Sequence, residues 1–399
     1  MERFAMLEFR VIHPSELSSD EIEAWSAMQS ATPVFSSPLM GPHFARAVGT
    51  MRDDARVAVI HRGGGPIGFF PHHRRPSGFA RPIGAPLSDY HGVVTAADER
   101  LDGEAILSGA RLSAFRFTAL IDPFGVFGSD VEASAQGYRV ILLEGEDGYA
   151  EKLTTASRNR HRNFRRYSHK LAREIGPLRL LAHRQSAFFE ELLDWKTAQI
   201  RRTGVQDFLA AEWTRGLLRK LLIGEPPLEG LVLSLFAGGR QVAAHFGVKS
   251  SGHFHPWIGA SSPDLEAYSP GSVHQWMAIQ AMRTLKLRTY DLGPGFGHWK
   301  GFFANDSVTV SEGLASTRGA SGRSARSREN LWLLPGLATN PLAARLRRRL
   351  DQIAQTELTL PGRVAGLLGA VAALERRSAS RKPNLEERIS HVLGEESRP

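Results

Sequence analysis

The chain has 399 residues, 42% hydrophobic and 23% charged, which describes a folded protein with room for two domains, each with its own core. It contains no cysteine, so a thiol nucleophile, a thiolate zinc site and a disulfide framework are excluded. The formal charge of +9 is concentrated in two arginine-rich places. One is Ser157 to Leu171; the other is the tail, with Arg345, Arg347, Arg348 and Arg349 in one cluster and Arg376, Arg377, Arg381 and Lys382 in a second. Such clusters read as patches for an anionic ligand, nucleic acid or a membrane surface, or as solvated helix faces.

The N-terminus shows no apolar run with a cleavage site, and the longest apolar run, Val364 to Leu374, is too short to span a bilayer. The expectation is a cytoplasmic protein without a transmembrane segment. Ser15 to Met28 predicts a helix, and a second follows around Pro42 to Val48. Arg56 to Arg62 and Pro66 to Pro71, separated by three glycines, read as a hairpin. Leu87 to Val94 reads as a loop entering a strand, Asp102 to Leu112 as a helix, and Arg116 to Ile121 and Tyr138 to Leu143 as strands. A basic helix (Ser157 to Glu174), a strand (Leu178 to His183), and helices over Ala187 to Thr203 and Ala211 to Leu222 come next. A hairpin (Leu231 to Ala237 and Gln241 to Lys249) and strands at His253 to Gly259 and Thr289 to Leu292 complete the pattern. Helix, helix, hairpin, strand, helix, strand thus occurs twice, which predicts an α+β domain used in tandem: residues 1–150 and 151–312. Beyond these, 313–399 reads as a small-residue basic linker (Ala315 to Ser327) and a basic, partly helical tail, with helices at Pro341 to Ile353 and Pro361 to Arg377.

Two segments carry chemistry. In Tyr268-Ser269-Pro270-Gly271-Ser272-Val273, Pro270 pre-sets a first helical turn and Ser269 or Ser272 can cap it. Such a start offers free N–H groups and a positive dipole end to a phosphate. In Tyr290-Asp291-Leu292-Gly293, continuing to His298 and Lys300, a strand opens into a glycine-rich loop holding an acid, an imidazole and an amine.

Taken in order, the basic stretch from Ser157 to Lys170, then Asp194-Trp195-Lys196, Tyr268-Ser269-Pro270-Gly271, and Tyr290-Asp291-Leu292-Gly293 with Lys300 resemble the GNAT-fold acyltransferases of the CelD type. That family is associated with cellulose and exopolysaccharide genes and related to the FemAB-like proteins. The resemblance covers roughly residues 5 to 312. It implies tandem GNAT-like domains and acyl transfer from acyl-CoA, most simply acetyl-CoA, to an amine or hydroxyl of a small-molecule or saccharide acceptor. It also implies that the amides of Gly271, Ser272 and Val273 face the pyrophosphate. The usual fingerprint, Arg or Gln followed by x-x-Gly-x-Gly/Ala, is absent before this helix, so aminoacyl-tRNA, the donor of FemAB-like relatives, stays open. A nucleic-acid-binding protein without catalysis is the reading outside the enzyme class.

Acyl transfer needs a base for the acceptor, donors for the oxyanion and help for the leaving thiolate. Asp291 is a base or orienting group, or a loop cap; His298 is a proton-transfer candidate; and Tyr268 is a leaving-group acid or a packing aromatic. His245 is expected near the strand facing the thioester. Lys300, Arg162 and Arg166, with Ser269, are expected to hold the cofactor's anionic groups, while Asp89, Tyr90, His91 and Lys196 line the acceptor side. His253 and His255 share a strand face, but with no carboxylate near them in sequence they predict no metal.

Overall fold

The computed structural model describes residues 6–142, 155–203, 206–295, 299–337, 339–359, 361–364 and 366–368. The strands are β1 (Glu8–Ile12), β2 (Ala55–Arg62), β3 (Gly65–Arg74), β4 (Phe79–Pro82), β5 (Val94–Thr95), β6 (Ala114–Leu120) and β7 (Val131–Ile141), followed by β8 (Leu178–His183), β9 (Glu229–Ala237), β10 (Arg240–Ser250), β11 (His253–Ser261), β12 (Thr289–Pro294) and β13 (Asp306–Ser316). The helices are α1 (Ser19–Ala31), α2 (Pro42–Gly49), α3 (Gly103–Gly109), α4 (Thr155–Glu174), α5 (Ser186–Thr203), α6 (Glu212–Leu222), α7 (Pro270–Gln280), α8 (Lys300–Phe303), α9 (Ala320–Asn330) and α10 (Pro341–Thr356).

Local chemistry sets the turns. Gly63 and Gly64 have φ of 62° and 92°, and Gly238 and Gly239 have 58° and 84°. Positive φ at both central residues matches the twist of a two-residue hairpin, and glycine supplies it without a Cβ clash. The Ser18 side chain accepts from Glu21 N–H while Glu21 reaches back to Ser18 N–H, a capping box that starts α1. Helix α1 therefore begins four residues later than the sequence predicts, after a short 3-10 turn at Pro14–Glu16.

All the strands join one mixed sheet, ordered β1-β2-β3-β4-β6-β13-β7-β12-β11-β10-β9-β8, with β5 beside β3. Alternation along the strands separates two layers. Val232, Ala244, Phe246, Val248 and Ile258 join a core with α5 residues such as Leu192, and this core continues under α1 and α2 through Trp25 and Phe44. On the opposite face, Leu233 and Phe254 pack with Ala278 and Ile279 of α7 and Phe164 of α4, and Phe70 and Phe115 pack with Ile106 of α3. The expected architecture, a mixed sheet flanked by helices and built on one pattern used twice, is present.

The halves are interleaved. β13, from the end of the second unit, lies between β6 and β7 of the first, and β7 pairs with β12. The stretch Ala315 to Ser327 is not a linker: it holds the end of β13 and most of α9. Ala325 of α9 is buried against Ala114 and Leu314, and Arg326 bonds Asp130 and the Leu314 carbonyl. Helix α10 ends where Arg75 donates to the carbonyls of Ala354 and Gln355, and Trp213 of α6 donates to that of Thr356. These donors satisfy carbonyls that a helix end leaves open. No helix among the described residues is long and apolar enough to cross a membrane.

Candidate active site

β11 and β12 run parallel but pair only at His253 with Thr289 and Phe254 with Tyr290; beyond that they separate. β11 is bent where Ile258 opposes Phe246 and Pro256 opposes Gly247, leaving Trp257 as the extra residue of a bulge. Gly247 is required there, because a Cβ would lie 2.1 Å from the His255 carbonyl oxygen. The separation opens a cleft of about 1010 Å³. On its wall stand Asp89, Lys196, His245, Gly271, Ser272 and Lys300, from both halves of the chain, with Trp257, Gln275 and Trp299.

The start of α7 differs in detail from the sequence expectation. Ser269 adopts the left-handed conformation (φ 50°) and makes no side-chain cap. Its carbonyl instead accepts from the N–H of Ser272 and of Val273. Pro270 has no N–H, so of the three expected amides only that of Gly271 is left over for a ligand. The Val273 side chain is buried in the core behind the cleft. Gly271 has open space around it, its nearest neighbour being Ser261 Oγ at 3.9 Å from a built Cβ.

A second feature is a hydrogen-bonded chain on the face shared with α5. Tyr90 Oη donates to Asp291 Oδ1 at 2.8 Å, and Gly293 N–H donates to the same oxygen at 2.8 Å. His253 Nε2 meets Asp291 Oδ2 at 3.1 Å. His255 Nδ1 lies 3.6 Å from that oxygen, and its Nε2 lies 3.0 Å from Asp89 Oδ2. Burial raises the Asp291 carboxyl, but the His255 charge and the hydrogen bond from His253 overcome it and hold it well below the carboxylate range. Burial lowers the His255 imidazole, yet Asp291 and Asp89 outweigh that and push it up to about 9. His253 is lowered, chiefly by burial, and is the neutral donor. Asp89, with 38% of its side chain exposed, is the end of the chain that opens to the cleft.

This corrects the view that no carboxylate lies near His253 and His255, since the fold supplies two. The ligand-type atoms of His253, His255 and Asp291 lie within 4.8 Å of one another. The donors already around Asp291 satisfy both of its oxygens.

On the face shared with α7, His245 Nδ1 lies 2.7 Å from Tyr290 Oη, and its ring lies 4.3 Å from that of His274, tilted by 48°. Burial, then His274 and Lys196, keep the His245 imidazole well below its usual range, so it is neutral. Burial raises the Tyr290 phenol, which stays protonated. A Cβ at Gly259 would stand 2.9 Å from His245 Nε2, so the glycine keeps that nitrogen open. Lys300 Nζ donates to the carbonyls of Gly293 and Pro294.

Several residues singled out in the sequence stand elsewhere. His91 is buried in the first half, its Nε2 accepting from the N–H of Thr118 and Ala119. Tyr268 lies beside α4, its ring under Lys170 at 4.9 Å and its hydroxyl paired with Glu174. Arg162 and Arg166 are exposed on the outer side of α4, where Arg162 bonds Asn159 and Arg166 lies over Tyr167. Phe164 is the α4 side chain that reaches the cleft. His298 lies outside the described residues. Conversely, the sequence assigns no chemical role to His274, Gln275 or the Tyr290 hydroxyl; Tyr290 stands in the Tyr-Asp-Leu-Gly segment, and period-two alternation in β12 puts it on the face opposite Asp291.

Residues 158–301 match the model of the acetyltransferase (GNAT) domain. The chain carries a GNAT acetyltransferase domain. The matched span includes the separated strands β11 and β12, the start of α7 and Lys300, so this GNAT domain holds the cleft, and the chain is an acyltransferase. Among solved structures, the fold is similar to FemX (11% identity, 76% of this chain and 96% of that chain, TM-score 0.47). It is also similar to a tandem GNAT protein from the clavulanic acid biosynthesis pathway (11%, 79% and 100%, 0.46) and to a GCN5-related N-acetyltransferase from Kribbella flavida (12%, 77% and 72%, 0.34). A search of the curated proteins found no match.

Proposed function

We propose that the cleft between β11 and β12 transfers an acyl group from acyl-CoA, acetyl-CoA in the simplest case, to an amine or hydroxyl acceptor. The observation that carries this reading is the separation of two parallel strands beside the open amide of Gly271. The thioester arm lies between the strands and the pyrophosphate at the start of α7. Asp89 takes the proton of the acceptor N–H or O–H as that atom bonds the acyl carbon and the carbon–sulfur bond breaks. His255 and Asp291 orient Asp89. Tyr290 donates to His245 Nδ1, which fixes the proton on Nε2, and Nε2–H hydrogen-bonds the departing thiolate; the proton returns to sulfur through water. Trp257 and Trp299 on the wall suit the apolar face of a saccharide acceptor, in keeping with an acceptor in polysaccharide or cell-envelope synthesis.

Calorimetric titration with acetyl-CoA, with free coenzyme A and bulk tRNA as comparators, tests the donor. Saturable one-to-one binding of acetyl-CoA is expected. Gly271→Asp should weaken it at least tenfold by placing a carboxylate against the phosphates, while Gly271→Ala, for which there is room, should bind nearly as wild type. Tight tRNA binding without coenzyme A binding would move the donor to aminoacyl-tRNA.

A further inference from the structure

Charge in the cleft balances with one exception, and of its cations among the described residues only His255 is in ion-pair contact with a carboxylate. The His255 imidazolium lies between the carboxylates of Asp89 and Asp291. Lys300, whose ammonium is lowered by burial, feels the opposing pull of Asp89 and Asp291. Two carboxylates thus face two cations. Lys196 remains. Its Nζ donates to the Gly259 carbonyl at 3.3 Å and to Gln199 Oε1 at 3.0 Å, and it has no carboxylate in ion-pair contact among the described residues. Burial alone lowers it. An ammonium partly withdrawn from water and met only by neutral oxygens is costly until an anion arrives.

The position of Lys196 says which ligand brings that anion. Lys196 is on α5, whose apolar side chains share a core with Phe246, Val248 and Ile258. Helix α7, where the phosphates of an acyl donor would lie, packs on the other face with Leu233 and Phe254. Asp291 and His255 are on the α5 side, because Phe254 and Tyr290, their chain neighbours, point to the α7 side, and Asp89 joins them through its contact with His255. The unmatched cation is therefore carried by the helix that covers the face of Asp89 and His255, and its ammonium reaches the strand gap at the Gly259 carbonyl, next to His245.

We infer that the acceptor carries an anionic group, a carboxylate or a phosphate ester, which docks on Lys196 while its amine or hydroxyl faces Asp89. This rests on the acyl-transfer reading and adds the chemical class of the acceptor. The Trp257 ring on the same wall, 6.3 Å from that of His255, supplies an apolar surface.

The test is calorimetric titration of the protein, saturated with coenzyme A, with three small amines: β-alanine, O-phosphoethanolamine and neutral ethanolamine. At least one anionic amine should bind tenfold or more tighter than ethanolamine, and which one does so separates carboxylate from phosphate. Lys196→Gln, which keeps the length and a hydrogen-bond donor, should erase that preference while acetyl-CoA affinity stays unchanged. Equal binding of all three by the wild type, or a preference that survives Lys196→Gln, would overturn the inference. Loss of acetyl-CoA affinity in Lys196→Gln would also overturn it, by assigning Lys196 to the donor. A wild type that binds no acetyl-CoA would sink the donor reading instead, and the amine titration would then be read on the free protein.

Discussion

Asp291 is fully buried and ionised, so its neighbours decide its worth. Removing one partner of a buried, hydrogen-bonded charge pair costs about 3–5 kcal/mol, because the other charge is left uncompensated. Asp291→Asn leaves His255 with only Asp89, and a loss of about 3 kcal/mol is expected as a lower urea midpoint. The pair also has a pH signature. The folded His255 pKa of about 9 lies above the ordinary value of 6.5, so its contribution is complete below pH 6.5 and is lost as pH rises toward 9. Urea midpoints of the wild type should fall over that window, by at most about 1.4 kcal/mol per pH unit, and those of Asp291→Asn should fall less. Equal slopes in the two proteins would remove His255 from the pair. Part of this site is legible in the sequence. Asp291, Lys300, Asp89, Tyr90, Lys196, His245 and Gly271 stand in residue patterns that invite chemistry, and the structure gathers them around one cleft. Tyr268, Arg162 and Arg166 stand outside it because residue type and order do not say which side of a helix or turn faces the ligand.

At the scale of elements, hydrophobic period and turn glycines suffice for most strands and helices of the second half; β8 falls where the sequence predicts it, Leu178 to His183. β13 and α9 are harder. Ser307-Val308-Thr309-Val310 alternates correctly for a strand, but the small basic residues after it resemble a linker. Helix α9 is held from outside: Ala325 is buried against Ala114 and Leu314, and Arg326 bonds Asp130. Tertiary contact overrides composition there. The interior of the first half also carries an acid-sensitive feature. Burial holds His72 and His73 of β3 at about 4, and His91, which precedes β5 and bridges Leu120 of β6, at about 3. Their folded values lie below 6.5, so the unfolded chain binds protons that the folded chain refuses, and stability falls as pH drops from 6.5 toward 4. His91→Gln, whose side-chain oxygen can accept from Thr118 and Ala119, should reduce that slope by up to about 1.4 kcal/mol per pH unit, read from urea midpoints at pH 7 and 5. An unchanged slope would mean that His91 is charged in the fold.

The interleaving of β13 with β6 and β7 makes the two units of the molecule depend on each other. A cut at residue 150 separates Asp89 and Tyr90 from Asp291, and β6 and β7 from the strand between them. Val308 and Val310 of β13 are buried in the core that runs under both units. The largely buried Arg116 of β6 pairs with Glu312 of β13 at 2.6 Å and with Glu132 of β7 at 2.9 Å. Without β12 and β13, residues 1–150 leave one edge of β6 and both edges of β7 unpaired beside an open apolar strip, which invites aggregation. Expressed alone, residues 1–150 should be insoluble, and residues 151–399 should not bind the acceptor. Co-expressed from one vector, the two pieces should copurify as a one-to-one complex that recovers acetyl-CoA-dependent transfer. Soluble, monomeric residues 1–150 with a cooperative unfolding transition would show instead that the first unit closes its sheet without β13. The shared strand would then be a joint between two independent domains, and not part of one sheet that neither unit can complete.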